Sequence, residues 1–106
     1  MTTQEIISRM AGTIADRFHP EKIILFGSYA KGTPNKDSDV DLLVVMRVEG
    51  SKRAKAAEID LELADRTVPL DVIVVTPDEI EKFGNDAGGY LYPALRDGKV
   101  LYERAA

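Results

Sequence analysis

The run Leu25-Phe26-Gly27-Ser28 is followed, ten residues later, by Asp39-Val40-Asp41. A glycine directly after an apolar run lets the backbone approach an anion closely, and Ser28 adds a hydroxyl where the next amides point outward. Residues two apart on a strand project to one face, about 6.7 Å apart at ~3.3–3.4 Å per residue, so Asp39 and Asp41 can share hard divalent cations. Asp37 puts another acid within the same five residues. Without a cation such crowding is repulsive. A phosphate-holding turn beside a metal-holding carboxylate pair suits the movement of a nucleotidyl group. Taken singly, each part also has a plain reading: Gly-Ser is a common turn, and Asp-x-Asp before a strand can be a solvated acidic loop.

Asp71 interrupts the apolar run Pro69-Leu70-Asp71-Val72-Ile73-Val74-Val75. A carboxylate there sits at the start of a strand, or in a covered sheet where it must be paired or bound to metal. A salt bridge to Arg66 is one reading and a metal ligand is the other. Beside Asp39 and Asp41 the ligand reading is preferred. Lys31 can neutralise phosphate charge near Ser28, with an ordinary solvated lysine as the alternative.

The elements that must position these residues follow from periodicity and breakers. Thr2-Thr3-Gln4-Glu5 is a capping box, and Ile6, Ile7, Met10, Ile14 and Phe18 recur at helical spacing until His19-Pro20. Residues 22–26 (KIILF) form a buried strand, Ser28 opens a short helical turn, and residues 32–38 are a loop. Residues 40–46 form a second strand, a helix runs from Ser51 to about Arg66, and residues 68–75 form a third strand. That helix carries two apolar stripes, Ala54-Ala57-Leu61-Ala64 and Ala56-Ile59-Leu63, read first as deep packing and second as a partner surface. Lys52, Arg53 and Lys55 at its start are read as a solvated face. Thr76-Pro77-Asp78-Glu79 starts another helix, residues 90–97 a further one containing Pro93, and residues 100–102 a last strand. His19 is read as a helix-end residue and the late tyrosines as packing residues. The order predicts one α/β domain over residues 1–106, a mixed sheet flanked by helices.

Composition narrows the chemistry. The 106 residues are 44% hydrophobic and 30% charged, as in a globular domain with one core. There is no cysteine and one histidine, His19, which excludes disulfides, thiolate sites and multi-histidine zinc sites and leaves oxygen ligation by magnesium, manganese or calcium. A cysteine-free chain with no apolar run of membrane length and no signal-peptide pattern is compatible with the cytoplasm. The net charge of −4 argues against direct nucleic-acid binding, and it admits a nucleoside triphosphate that arrives with its own metal.

The stretch LFGSYAKGTPNKDSDVDLLVV, with Asp71 in PLDVIVV, resembles the signature of the polymerase-beta-like nucleotidyltransferases, and the chain looks like their minimal bacterial and archaeal members. The specific match covers residues 25–45 and Asp71. The resemblance implies the polymerase-beta-like fold, with Asp39, Asp41 and Asp71 on one face holding two Mg2+ ions. It implies that Gly27 and Ser28, with Lys31 nearby, hold the triphosphate of a nucleotide such as ATP, and that Asp71 can take the proton of the incoming hydroxyl. Stand-alone members of the family pair with small helical HEPN-class toxins, as antitoxins that transfer AMP to a tyrosine of the partner. Larger relatives carry an acceptor-binding domain for which 106 residues leave no room, so the acceptor is expected on a partner or a second subunit. The alternatives are a non-catalytic antitoxin that works by occlusion and a transferase acting on a small molecule.

Overall fold

The computed structural model describes residues 1–86, 88–89 and 91–105. Helix α1 (Thr3–Phe18) starts at a complete capping box, in which Thr2 Oγ1 accepts from the Glu5 N–H and the Glu5 carboxylate accepts from the Thr2 N–H, each at 3.1 Å. Its inward stripe is Ile7, Met10, Ala11 and Ile14. It ends where His19 adopts the left-handed conformation (φ 51°, ψ 51°) ahead of Pro20, the helix-end role read from sequence. Strand β1 (Lys22–Phe26) follows, then the single turn α2 (Ser28–Lys31). The remaining elements are β2 (Val40–Val45), α3 (Lys52–Glu62), β3 (Leu70–Val75), α4 (Pro77–Phe83), α5 (Leu91–Asp97) and β4 (Lys99–Glu103).

The strands form one mixed sheet in the order β3-β2-β1-β4. Strand β1 runs antiparallel to both β2 and β4, while β2 and β3 are parallel and joined through α3. Helices α1 and α3 cover one face, packing on Ile23, Leu25, Val40, Leu42 and Val44. Helices α4 and α5 cover the other, packing on Ile24, Leu43, Val45 and Val75. Burial on both faces is why β2 beyond Asp41 (Leu42, Leu43, Val44 and Val45) reads as a continuous apolar run rather than an alternating one. The expected mixed α/β architecture is what the chain adopts.

Several boundaries differ from the sequence reading, each for a local reason. Helix α3 stops at Glu62 instead of about Arg66 because Arg66 folds back on it. The Arg66 guanidinium donates to the carbonyls of Asp60 and Leu63 at 3.2 and 3.1 Å and pairs with the Asp60 carboxylate at 2.9 Å. Strand β3 begins at Leu70 rather than Val68, β2 ends at Val45, and β4 extends to Lys99–Glu103. Tyr90 lies outside the described residues, so α5 is seen from Leu91, with Pro93 in its first turn where a missing N–H costs little. Of the two α3 stripes only Ala56, Ile59 and Leu63 pack inward. Ala54, Ala57 and Ala64 are exposed and Leu61 is 75% exposed, so the second stripe does not pack on the sheet. The lysines at the α3 start are not simply solvated: Lys52 pairs with Glu79 and Lys55 with Glu58, leaving Arg53 exposed.

The α3 and α4 starts are thereby tied together. Lys52 Nζ lies 2.5 Å from the Glu79 carboxylate, whose other oxygen accepts from the Thr76 N–H at 2.9 Å in the second capping box of the chain. The hydrogen bond from Lys52, then that from Thr76, hold the Glu79 carboxyl below its ordinary value of 4.5. Stability from a depressed carboxyl is complete above the unfolded value and is lost as pH falls through the folded one. Thr76→Ala is expected to cost about 1 kcal/mol in urea unfolding at neutral pH. Glu79→Gln is expected to flatten the acid limb of the stability profile between about pH 5 and pH 3, measured as the unfolding midpoint against pH.

Candidate active site

The expected acids converge at one end of the sheet, on the face covered further along by α4 and α5. Cα pairing places Phe26 of β1 opposite Asp41 of β2, and Asp41 opposite Asp71 of β3. These three side chains therefore lie in one row across the sheet, with neighbouring strands about 4.8 Å apart. Asp39 directly precedes β2 and, two residues before Asp41, belongs to the same face. Asp39 and Asp71 are exposed and Asp41 is half-buried. Asp71 is the second residue of β3, so the sequence reading of a carboxylate at a strand start holds. The proposed salt bridge to Arg66 does not form, because that guanidinium is taken by Asp60.

The acids repel one another. The Asp41 carboxyl is pushed above its ordinary value of 3.8, first by burial, then by the charges of Asp71 and Asp39. Among the described residues no lysine or arginine forms an ion pair with any of the three. A set of oxygen donors with no basic partner fits a hard divalent cation. Among the described residues, however, no three such side chains already stand as a closed metal cage. The row of acids thus needs side-chain adjustment to close on an ion.

The Gly27 turn stands next to them. Gly27 (φ 75°, ψ −157°) occupies a region of backbone space open essentially only to glycine and turns β1 into α2. The Ala30 and Lys31 amides bond back to the Gly27 carbonyl at 3.1 and 3.2 Å, which leaves the first amides of α2, at Ser28 and Tyr29, at the outward-facing end. Asp41 reaches over Gly27: a Cβ built on this glycine would run into the Asp41 carboxylate. Sequence reasoning missed this contact, since no pattern of spacing reports that a side chain on one strand fills the space above a glycine on the next.

Lys31 is exposed at the end of α2 and lies near α5. The Asp97 carboxyl is held below its usual range mainly by the Arg96 guanidinium at 3.0 Å and, less, by Lys31. Lys31 is therefore placed beside the turn, with Asp97 as a neighbour that sequence gave no reason to expect. Asp37 stays apart in a loop, its N–H donating to Asn35 Oδ1 at 2.8 Å. A cleft of about 550 Å³ between α1 and the segment after α3, lined by Met10, Leu63 and Arg66 among others, contains none of the site residues. Asp39 and Asp71 are instead exposed at the end of the sheet.

The mixed sheet thus carries paired acids at its end beside a glycine turn. The nucleotidyltransferase domain family matches residues 7–101, and the chain belongs to that family. No curated protein sequence matches it. Among solved structures it is similar to a protein from Sulfolobus solfataricus assigned to the nucleotidyltransferases, at 20% identity and TM-score 0.58 over 94% of this chain and 79% of that one. It is similar to a chain of a toxin–antitoxin complex with AMP-PNP, at 19% identity and TM-score 0.61 over 97% of this chain and 75% of that one. A third is a chain from the complex of tri-AMPylated Shewanella oneidensis HEPN toxin with MNT antitoxin, at 16% identity and TM-score 0.54 over 97% and 74%. These likenesses establish a shared fold.

The raised Asp41 carboxyl has a consequence for stability. A group whose folded value is raised destabilises the fold while ionised, and the cost disappears as pH falls below the unfolded value. Asp41→Asn is expected to melt above the unsubstituted protein at neutral pH without divalent metal, and that advantage is expected to shrink below about pH 4, measured by thermal unfolding in EDTA.

Proposed function

We propose that the protein transfers AMP from ATP to a hydroxyl of a partner protein, a tyrosine of a HEPN-type toxin, and acts as the antitoxin of that pair. The observation that carries this reading is the placement of Asp41 beside Asp71 in the sheet with the Gly27 turn against it, in a chain of the nucleotidyltransferase family. The solved complexes with similar chains, one with AMP-PNP and one with a tri-AMPylated HEPN toxin, supply the nucleotide and the partner class.

Asp39, Asp41 and Asp71 would hold two Mg2+ ions. Bound magnesium would supply charge neutralisation at the attacking and leaving oxygens of the α-phosphorus. The Ser28 and Tyr29 amides and the Ser28 hydroxyl hold the triphosphate at the α2 start, and Lys31 offsets its charge. Asp71, exposed at the outer strand of the acid row, takes the proton of the incoming hydroxyl as the oxygen–phosphorus bond forms and pyrophosphate leaves. The exposed end of the sheet leaves the acceptor to be brought by the partner. An ATP-dependent reaction of this kind suits the cytoplasm, where ATP is available.

Incubating the protein with ATP, Mg2+ and a HEPN-type partner protein is expected to add about 329 Da, one AMP, to the partner by intact-mass spectrometry. Asp39→Asn with Asp41→Asn is expected to slow that transfer by more than ~100-fold. Transfer at the unsubstituted rate by the double variant would remove the metal assignment. Full neutralisation of the partner in cells by that variant would favour occlusion over catalysis.

A further inference from the structure

We infer that Gly27 is a positioning residue for the Asp41 carboxylate, so that the phosphate turn and the metal-binding acid form one mechanical unit. The inference deepens the proposed site and rests on that reading for its functional meaning, while its structural content stands alone. The usual case for a glycine after β1 is closeness to phosphate. Here the space above its Cα is already used from within the chain. A Cβ at residue 27 would collide with Asp41 Oδ2 and lie 3.1 Å from Asp41 Cγ and 3.5 Å from its Cβ. Because Phe26 is the register partner of Asp41, Gly27 is the first residue past the paired end of β1, and the Asp41 side chain leans over it.

The directions left to Asp41 are constrained. Asp71 flanks it on β3 and Asp39 shares its face along the chain, both carboxylates. The gap over Gly27 is the side that carries no negative charge. A methyl group in that gap would displace the Asp41 carboxylate from the position it now holds between Gly27 and Asp71. Residue 27 thus governs metal affinity without supplying a ligand atom. Conversely, any shift of the turn on binding a triphosphate changes the room given to Asp41, which couples the two ligands reciprocally.

Two costs of Gly27→Ala must be separated. The backbone at φ 75°, ψ −157° is strained for alanine whatever its neighbours. The collision exists only while Asp41 keeps its carboxylate. A double-mutant cycle in the full chain distinguishes them: Gly27→Ala, Asp41→Ala and the double substitution, followed by thermal unfolding, with Mn2+ binding measured without nucleotide by electron paramagnetic resonance. The expected result is a clearly smaller drop in melting temperature from Gly27→Ala in the Asp41→Ala background than in the unsubstituted protein, and at least tenfold weaker Mn2+ binding by folded Gly27→Ala. If Gly27→Ala does not fold alone but the double variant does, the inference is supported. Equal drops in both backgrounds, failure of both to fold, or unchanged Mn2+ affinity in folded Gly27→Ala would overturn it. If the unsubstituted protein binds no Mn2+, the metal assignment of the proposed function falls, and the unfolding cycle alone decides the role of Gly27.

Discussion

The site depends on strand register. Pairing of Phe26 with Asp41 and of Asp41 with Asp71 draws two carboxylates into adjacent positions across three strands, at the point where β1 breaks into the α2 turn. A slip of one residue in β2 would carry Asp41 to the α1 and α3 side and turn Leu42 and Val44 away from the core they fill. That slip would also press the Asp41 carboxylate into the core under α1 and α3, where it has no partner. The hydrophobic core thus holds in place an arrangement that its own electrostatics oppose.

That opposition gives the site its character. Burial and two neighbouring negative charges raise the Asp41 carboxyl, and no described basic side chain relieves it through an ion pair. Strain of this kind is kept where it serves a ligand, and a divalent cation would turn the repulsion into coordination. The turn meets the complementary need, offering outward amides to an anion within reach of the same carboxylates. In the proposed reaction metal and triphosphate would lie on either side of the Asp41–Gly27 contact.

Much of this was legible in the sequence. The capping box at Thr2, the helix start at Thr76, the KIILF strand, the break at Gly27 and the two acid-bearing strands follow from local rules that tertiary packing did not override. Asp71 could be placed at a strand start because a lone acid in an apolar run has few tolerable positions. What failed depended on contacts distant in sequence or on which way a surface faces. The α3 end was misplaced because Arg66 supplies its own cap, and the outward stripe through Leu61 was indistinguishable from an inward one by periodicity alone. The Asp41 carboxylate over Gly27 joins residues on two strands and leaves no sequence signature.

The central claim is that this site moves the nucleotidyl group and not the terminal phosphate. The direct measurement supplies the protein and the proposed HEPN-type partner with Mg2+ and either α-³²P-ATP or γ-³²P-ATP and counts label on the partner. The account predicts label from the α position only, with the γ label released as pyrophosphate. Label transferred from the γ position, or none from the α position, would contradict it.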